Sequence, residues 1–160
     1  MAFHDEIATL MKSMDLRFAI PSDLNAIETI TRAAYSHYIA AMRRAPAPMG
    51  ADFRSQIEAG IVVVSLRGSD VVGYVVRYPT KDAMHIENVA VEPEVKGRGY
   101  GGALITSCED AARAMGLGAV ELYTNEKMHA NLTLYPRLGY VERDRCVEDG
   151  FTRVYFRKDL

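Results

Sequence analysis

Gly97, Gly99, Gly101 and Gly102 crowd into one segment, Val91-Glu92-Pro93-Glu94-Val95-Lys96-Gly97-Arg98-Gly99-Tyr100-Gly101-Gly102, which follows the apolar run Val89-Ala90-Val91 and precedes an amphipathic stretch. Glycine has no Cβ, so its backbone N–H can turn toward a ligand and approach it closely. A helix that begins at such a loop adds unpaired donors and the positive end of its dipole. That chemistry suits a pyrophosphate, and the segment predicts an anion cradle for a nucleotide-containing cofactor.

Three patterns compete for these glycines. A P-loop ends in Gly-Lys-Ser/Thr, and Gly101-Gly102-Ala103 stands at that place, which excludes it. Gly97, Gly99 and Gly102 satisfy the letters of the dinucleotide fingerprint, with Glu121 where a ribose-binding carboxylate is expected. In that fingerprint the strand runs straight into the first glycine, whereas Glu92 to Lys96 intervene here and too little chain remains for a doubly wound sheet. A dinucleotide-dependent oxidoreductase is therefore a remote alternative.

The third pattern is Val-x-Pro followed by Gln/Arg-x-x-Gly-x-Gly/Ala, met here by Val91-Glu92-Pro93 and by Lys96 to Gly101. A second element, Leu134-Tyr135-Pro136-Arg137-Leu138-Gly139-Tyr140, lies further on. In this order and separation the two resemble the cofactor loop and the late Leu-Tyr-x-x-Leu-Gly-Phe/Tyr element of the GCN5-related N-acetyltransferases (GNAT family). The resemblance runs from about Met14 onward. It departs at Lys96, where the family usually has Gln or Arg, so a donor is kept but a planar one is lost.

The resemblance implies an α/β (α+β) fold with a central mixed, mostly antiparallel sheet flanked by helices on both faces. It also implies acetyl-coenzyme A as cosubstrate, no metal, and direct transfer of acetyl to a primary amine of a small molecule or peptide. Backbone groups of Val89, Ala90 and Val91 would hold the pantetheine arm, and Lys96, Gly97, Arg98, Gly99, Tyr100, Gly101 and Gly102 the diphosphate. Glu87 is the expected base, directly or through water, with His85 as a rival base or as its orienter. Tyr135 is the expected acid for the departing thiolate. Many members carry Asn seven residues before that tyrosine; Met128 stands there, and Asn131, one helical turn before Tyr135, is the expected replacement contact to the cofactor.

Each residue also has a plainer reading: glycines for tight packing, Glu87 as a strand carboxylate paired with a cation, Tyr135 as a packing residue. Tyr35, His37, Tyr38, Arg43 and Arg44 are candidates for lining a polar or anionic acceptor pocket, against a half-buried helix face with extended arginines. Cys108 and Cys146 lack a paired base in the motif region, which disfavours a covalent cysteine route. A non-catalytic acyl-coenzyme A sensor is the alternative from another class; it would tolerate loss of Glu87 and Tyr135.

The elements that must position these residues are readable from periodicity. Met14 to Ala19 reads as a strand, and Ser22 as the cap of a helix with Leu24, Ile27, Ile30 and Ala34 on one face, continuing toward Met42. Ala45 to Gly50 breaks it, and a short helix spans Asp52 to Ala59. Ile61 to Leu66 and Val71 to Val76 read as a hairpin turned at Gly68-Ser69-Asp70. In a strand from Met84 to Val91, alternation puts His85, Glu87, Val89 and Val91 on one face. The helix after the glycines buries Leu104, Ile105, Cys108, Ala111, Ala112 and Met115 and stops at Gly116 and Gly118. Ala119 to Tyr123 is a strand, Met128 to Arg137 a helix, and Tyr140 to Arg145 with Thr152 to Arg157 a hairpin turned at Asp149-Gly150.

With 160 residues, the chain reads as one domain over 14–160 after an N-terminal extension, 1–13. A net charge of −2 with 25% charged residues gives no footprint for a nucleic-acid partner. The cysteines form no metal-ligand pattern and no leader is evident, so a cytoplasmic protein is expected. Apolar runs such as Ile61 to Leu66 fall far short of the roughly twenty residues that cross a bilayer, so no membrane association is expected. An exposed sheet edge or the late hairpin would suit a homodimer.

Overall fold

The computed structural model describes residues 15–160; the proposed extension and the strand start at Met14 lie outside them. Twelve regular elements follow in order: β1 (Asp15–Phe18), α1 (Leu24–Tyr35), α2 (Tyr38–Met42), α3 (Phe53–Glu58), β2 (Val62–Arg67), β3 (Asp70–Pro79), β4 (Ala83–Val91), α4 (Tyr100–Ala114), β5 (Ala119–Asn125), α5 (His129–Arg137), β6 (Val141–Glu148) and β7 (Phe151–Asp159). The strands form one sheet in the order β1-β2-β3-β4-β5-β7-β6, in which only β4 and β5 are parallel. That pair needs a crossover, and α4 supplies it. The expected mixed, mostly antiparallel sheet is observed.

Two cores lie on its faces. On one, α4 packs Leu104, Ile105, Cys108 and Ala112 against Val75, Met84, Ile86, Val120 and Leu122, with Tyr135 and Tyr140 closing the end. On the other, Ile27 and Ile30 of α1 and Phe53 and Ile57 of α3 cover Val62, Val64, Tyr74 and Val76. Burial pushes the Cys108 thiol up to about 12, as befits a core residue. Met115, expected in the core, is exposed because α4 ends at Ala114 and leaves it as the C-cap. The Asp149-Gly150 turn has φ of 54° and 79°, the positive pair that a two-residue hairpin loop of matching twist requires.

The start of α1 differs from the Ser22 cap that the sequence suggests. Pro21–Asp23 forms a short 3-10 turn, and the Asp23 carboxylate accepts from the Ile20 N–H (2.8 Å) and from both terminal nitrogens of Arg17 (2.7 and 3.1 Å). Those Arg17 hydrogen bonds hold the Asp23 carboxyl below its ordinary value although burial opposes them. A carboxyl with a lowered folded pKa stabilises fully above its unfolded pKa, and the stabilisation fades as pH falls through the folded one. Asp23→Asn is therefore expected to cost about 1–3 kcal/mol at pH 7, the scale of hydrogen bonds to a charged group. The deficit should shrink as pH drops below about 4, and urea unfolding across that range measures it.

Candidate active site

β4 carries the centre of the site, and its register is not regular. Val76 pairs with Asn88, but the next residue of β3, Arg77, pairs with Ile86, so Glu87 is an extra residue opposite no partner. This β-bulge reverses the alternation. Val89 and Val91 pack on the α4 face with Met84 and Ile86, whereas Glu87 and Asn88 both point to the opposite face. The expectation that His85, Glu87, Val89 and Val91 share a face is thus corrected: Glu87 stays with His85, and the two valines do not.

β4 and β5 also part company here. Their parallel pairing runs from Ala83↔Ala119 to Ile86↔Leu122 and stops. Beyond it, Glu87, Asn88 and Val89 on one strand and Tyr123, Thr124 and Asn125 on the other line a cavity of about 220 Å³. Asn131 and Tyr135 of α5 close one side; Met42, Ala47, Pro48, Ala51 and Gln56 and the hairpin residues Phe151 and Arg153 close the other. Gln56 brings a buried Oε1 that no described residue hydrogen-bonds.

The Glu87 carboxylate accepts from His85 Nε2 (3.0 Å), Tyr78 Oη (3.2 Å) and Tyr123 Oη (3.3 Å), and its side chain remains 34% exposed. The His85 hydrogen bond, helped by the two phenols, holds its pKa below the ordinary carboxylate value against the opposing effect of burial. It is anionic at neutral pH. Next to it, Asn88 is buried, donates to Tyr74 Oη (2.6 Å) and accepts from Tyr35 Oη (2.7 Å); Tyr74 also hydrogen-bonds Thr31 Oγ1 (2.7 Å). Tyr35 Oη also lies 2.9 Å from the Val89 carbonyl. This chain of polar groups ties α1 to the bulge and fixes the strand whose free edge faces the cavity.

Tyr135 stands across the cavity with its ring between Tyr140 (6.0 Å) and Phe156 (5.7 Å). Burial raises its pKa well above a normal phenol, so it is protonated at neutral pH. No described residue hydrogen-bonds its hydroxyl. Asn131 lines the same wall, donating to Thr124 Oγ1 (3.1 Å) and lying 3.7 Å from Met128 Sδ.

At the end of β4, Pro93–Val95 makes a 3-10 turn anchored by buried Val95, and Lys96, Gly97, Arg98 and Gly99 are exposed. Gly97 and Gly99 have φ of 83° and 90°, a left-handed conformation that glycine adopts freely. Gly99 caps α4 without a side-chain acceptor, and no acidic residue lies in the first turn. The first intrahelical bond is Ala103 N–H to Gly99 O, so the N–H groups of Tyr100, Gly101 and Gly102 face outward. A Cβ at Gly97, Gly101 or Gly102 would meet nothing within 4 Å. Packing thus does not demand glycine at Gly101 and Gly102, which argues against the tight-packing reading, and the open space above the donors fits a diphosphate.

Residues 24–140 match the sequence profile of the acetyltransferase (GNAT) family. The chain belongs to that family. It is 31% identical over 77 residues to the uncharacterised N-acetyltransferase MJ1207 of Methanocaldococcus jannaschii, covering 48% of this chain and 33% of that protein. To the uncharacterised N-acetyltransferase YvbK of Bacillus subtilis it is 23% identical over 105 residues, 65% of this chain and 66% of that protein. The PaiA N-acetyltransferase of Thermoplasma acidophilum, solved in complex with coenzyme A, superimposes with a TM-score of 0.78 at 13% identity over 92% of this chain and 99% of that one. The GNAT fold is therefore shared even where sequence identity has nearly vanished.

Several cavity residues are not among those the sequence singles out. Asn88 and Tyr123 escape because register decides where they point; Phe151 and Arg153 escape because they reach the site only when the hairpin folds over it. Of the suggested acceptor residues, Tyr35 lines the cavity and Arg44 covers Phe151 from outside (4.0 Å), whereas His37, Tyr38 and Arg43 do not line it. Glu121 pairs with Arg157 and takes no part.

Proposed function

We propose that this GNAT protein is an N-acetyltransferase that carries acetyl from acetyl-coenzyme A directly to a primary amine. The observation that carries the reading is the parting of β4 and β5, which puts a free strand edge, an ionised carboxylate and a protonated phenol around one cavity, with a donor-rich helix start beyond it. Acetyl-coenzyme A would supply a thioester carbonyl and accept an electron pair as its thiolate leaves.

The chain's own groups then have defined work. The N–H groups of Gly97 and of Gly99 to Gly102, with the Lys96 and Arg98 side chains, hold the diphosphate, and the free edge of Val89, Ala90 and Val91 holds the pantetheine arm. Asn131 extends that contact from α5. Glu87 attracts the acceptor as its ammonium and takes the proton away; its lowered basicity suits relay through water better than direct abstraction. As the amine nitrogen forms the C–N bond and the C–S bond breaks, Tyr135 Oη gives its proton to the thiolate. An acyl-coenzyme A sensor would need the helix start but neither the carboxylate nor the phenol in the cavity.

Glu87→Gln tests the base. With Glu87 present, kcat/KM should stay nearly flat below the amine's pKa, because the enzyme handles the ammonium itself. Without it, only free amine reacts, and kcat/KM should fall a further tenfold or so per pH unit, reaching a loss of about 10²–10³ near pH 7, within the range of general-base effects. Parallel profiles for the two proteins would remove the role. Acetyl-coenzyme A titration with thiol release over a mixture of amines tests the whole reading, and binding without release would favour the sensor.

A further inference from the structure

The acceptor end of the cavity specifies its ligand by charge and shape. Among the described residues, only two charged side chains line it, Glu87 and Arg153. Arg153 is already engaged: its guanidinium donates to Glu148 Oε2 (2.7 Å), lies 3.6 Å from Asp149 and sits 4.5 Å from the Tyr123 ring centroid, with the side chain 13% exposed. Glu148 accepts further from Tyr155 (2.7 Å) and Cys146 (3.0 Å), so this cluster closes on itself. Glu87, held by His85 and two phenols, has no guanidinium or ammonium beside it among the described lining residues. Gln56 Oε1, buried without a partner among the described residues, is also an acceptor. Glu87 and Gln56 Oε1 both attract donors, the Tyr135 hydroxyl being reserved for the departing thiolate, and a substrate carboxylate would find no free cation among the described residues that line this cavity.

Away from Glu87 the walls combine the apolar Met42, Ala47, Pro48, Ala51, Met128 and Phe151 with uncharged polar groups such as Gln56, and hold no second carboxylate among the described residues. A second ammonium placed there would lose its water without a counter-charge. Arg44 donates to the Asp149 carbonyl (2.7 Å) and stacks on Phe151, tying the 43–51 segment to the hairpin tip across the cavity. That bridge obstructs an extended chain lying across the site. At about 220 Å³ the cavity is also smaller than the roughly 300–1,000 Å³ that receives drug-sized ligands.

We infer that the acceptor is a compact primary amine bearing one positive charge on a small apolar body and no carboxylate. The inference rests on the acetyltransferase reading and narrows it to small monoamines.

The test uses the full chain and four probes: 2-phenylethylamine, L-phenylalanine, spermidine and a tripeptide amide with a free N-terminus. Each is titrated into the coenzyme A-loaded protein and assayed for thiol release with acetyl-coenzyme A. The monoamine should exceed L-phenylalanine in kcat/KM by about 100-fold, the scale expected when one substrate leaves a charge unpaired. It should exceed spermidine and the peptide by at least about tenfold, and its binding should weaken in Glu87→Gln. Equal use of L-phenylalanine, or faster use of spermidine or the peptide, overturns the inference, as does a coenzyme A-loaded protein that binds none of the four. Failure of acetyl-coenzyme A itself to bind would instead remove the acetyltransferase reading, and this inference with it.

Discussion

Replacing Gly101 and Gly102 together by alanine is expected to stabilise the fold while cutting acetyl-coenzyme A affinity at least about 100-fold. The two effects have opposite signs because they arise from different atoms. Both residues lie in the first turn of α4, where neither has a positive φ, and added Cβ atoms would touch nothing in the chain. Removing glycine's extra unfolded-state freedom should then gain about 0.5–1 kcal/mol per site. In a helix each Cα–Cβ bond tilts toward the N-terminus, so the new methyl groups lean over the outward-facing N–H donors. A phosphate forced back from them loses hydrogen bonds that are each worth about 1.5–3 kcal/mol when one partner is charged, and loss of two gives the stated factor. Thermal unfolding and calorimetric titration of the same sample separate the effects. A more stable protein with unchanged affinity would show that the diphosphate does not use this helix start. The same change at Gly97 or Gly99 would be harder to interpret, since their φ of 83° and 90° would strain any side chain and weaken the fold as well.

That loop was legible in the sequence because its requirements are local: glycines, Val95 as anchor and the first turn of α4 are neighbours along the chain. The Leu134–Tyr140 element was legible for the same reason, since it ends one helix and buries Tyr135 and Tyr140 side by side. Most element positions also followed from periodicity and turn residues. What was not legible depends on pairing between distant segments. The bulge at Glu87 exists only relative to β3, and without it strict alternation misplaces Val89 and Val91 and hides Asn88. The Tyr35-Asn88-Tyr74-Thr31 chain of hydrogen bonds joins residues up to 53 positions apart, and no local signal announces it. The true cap of α1 was missed because Asp23 acts backward, on the Ile20 N–H and on Arg17, instead of on the helix ahead.

Tyr135→Phe is expected to lower kcat by about 10²–10⁴, the range of a positioned general acid, while leaving acetyl-coenzyme A affinity and stability nearly unchanged. Losing a buried hydroxyl normally breaks a hydrogen bond and destabilises the fold, which would blur the kinetic result. Here no described residue bonds the Tyr135 hydroxyl, and the ring alone packs against Tyr140 and Phe156, contacts that phenylalanine retains. The folded state therefore has little to lose. Burial keeps the phenol protonated throughout the neutral range, so its pKa makes it a proton donor and a poor base, and the variant should show no new ionisation in the pH profile between 6 and 9. The step affected is departure of the thiolate. An acyl donor whose thiol is more acidic needs less help in leaving, so Tyr135→Phe should be closer to the unmodified protein with such a donor than with acetyl-coenzyme A. A uniform loss across donors would point to misplacement of the carbonyl, and an unchanged kcat would assign Tyr135 to packing alone.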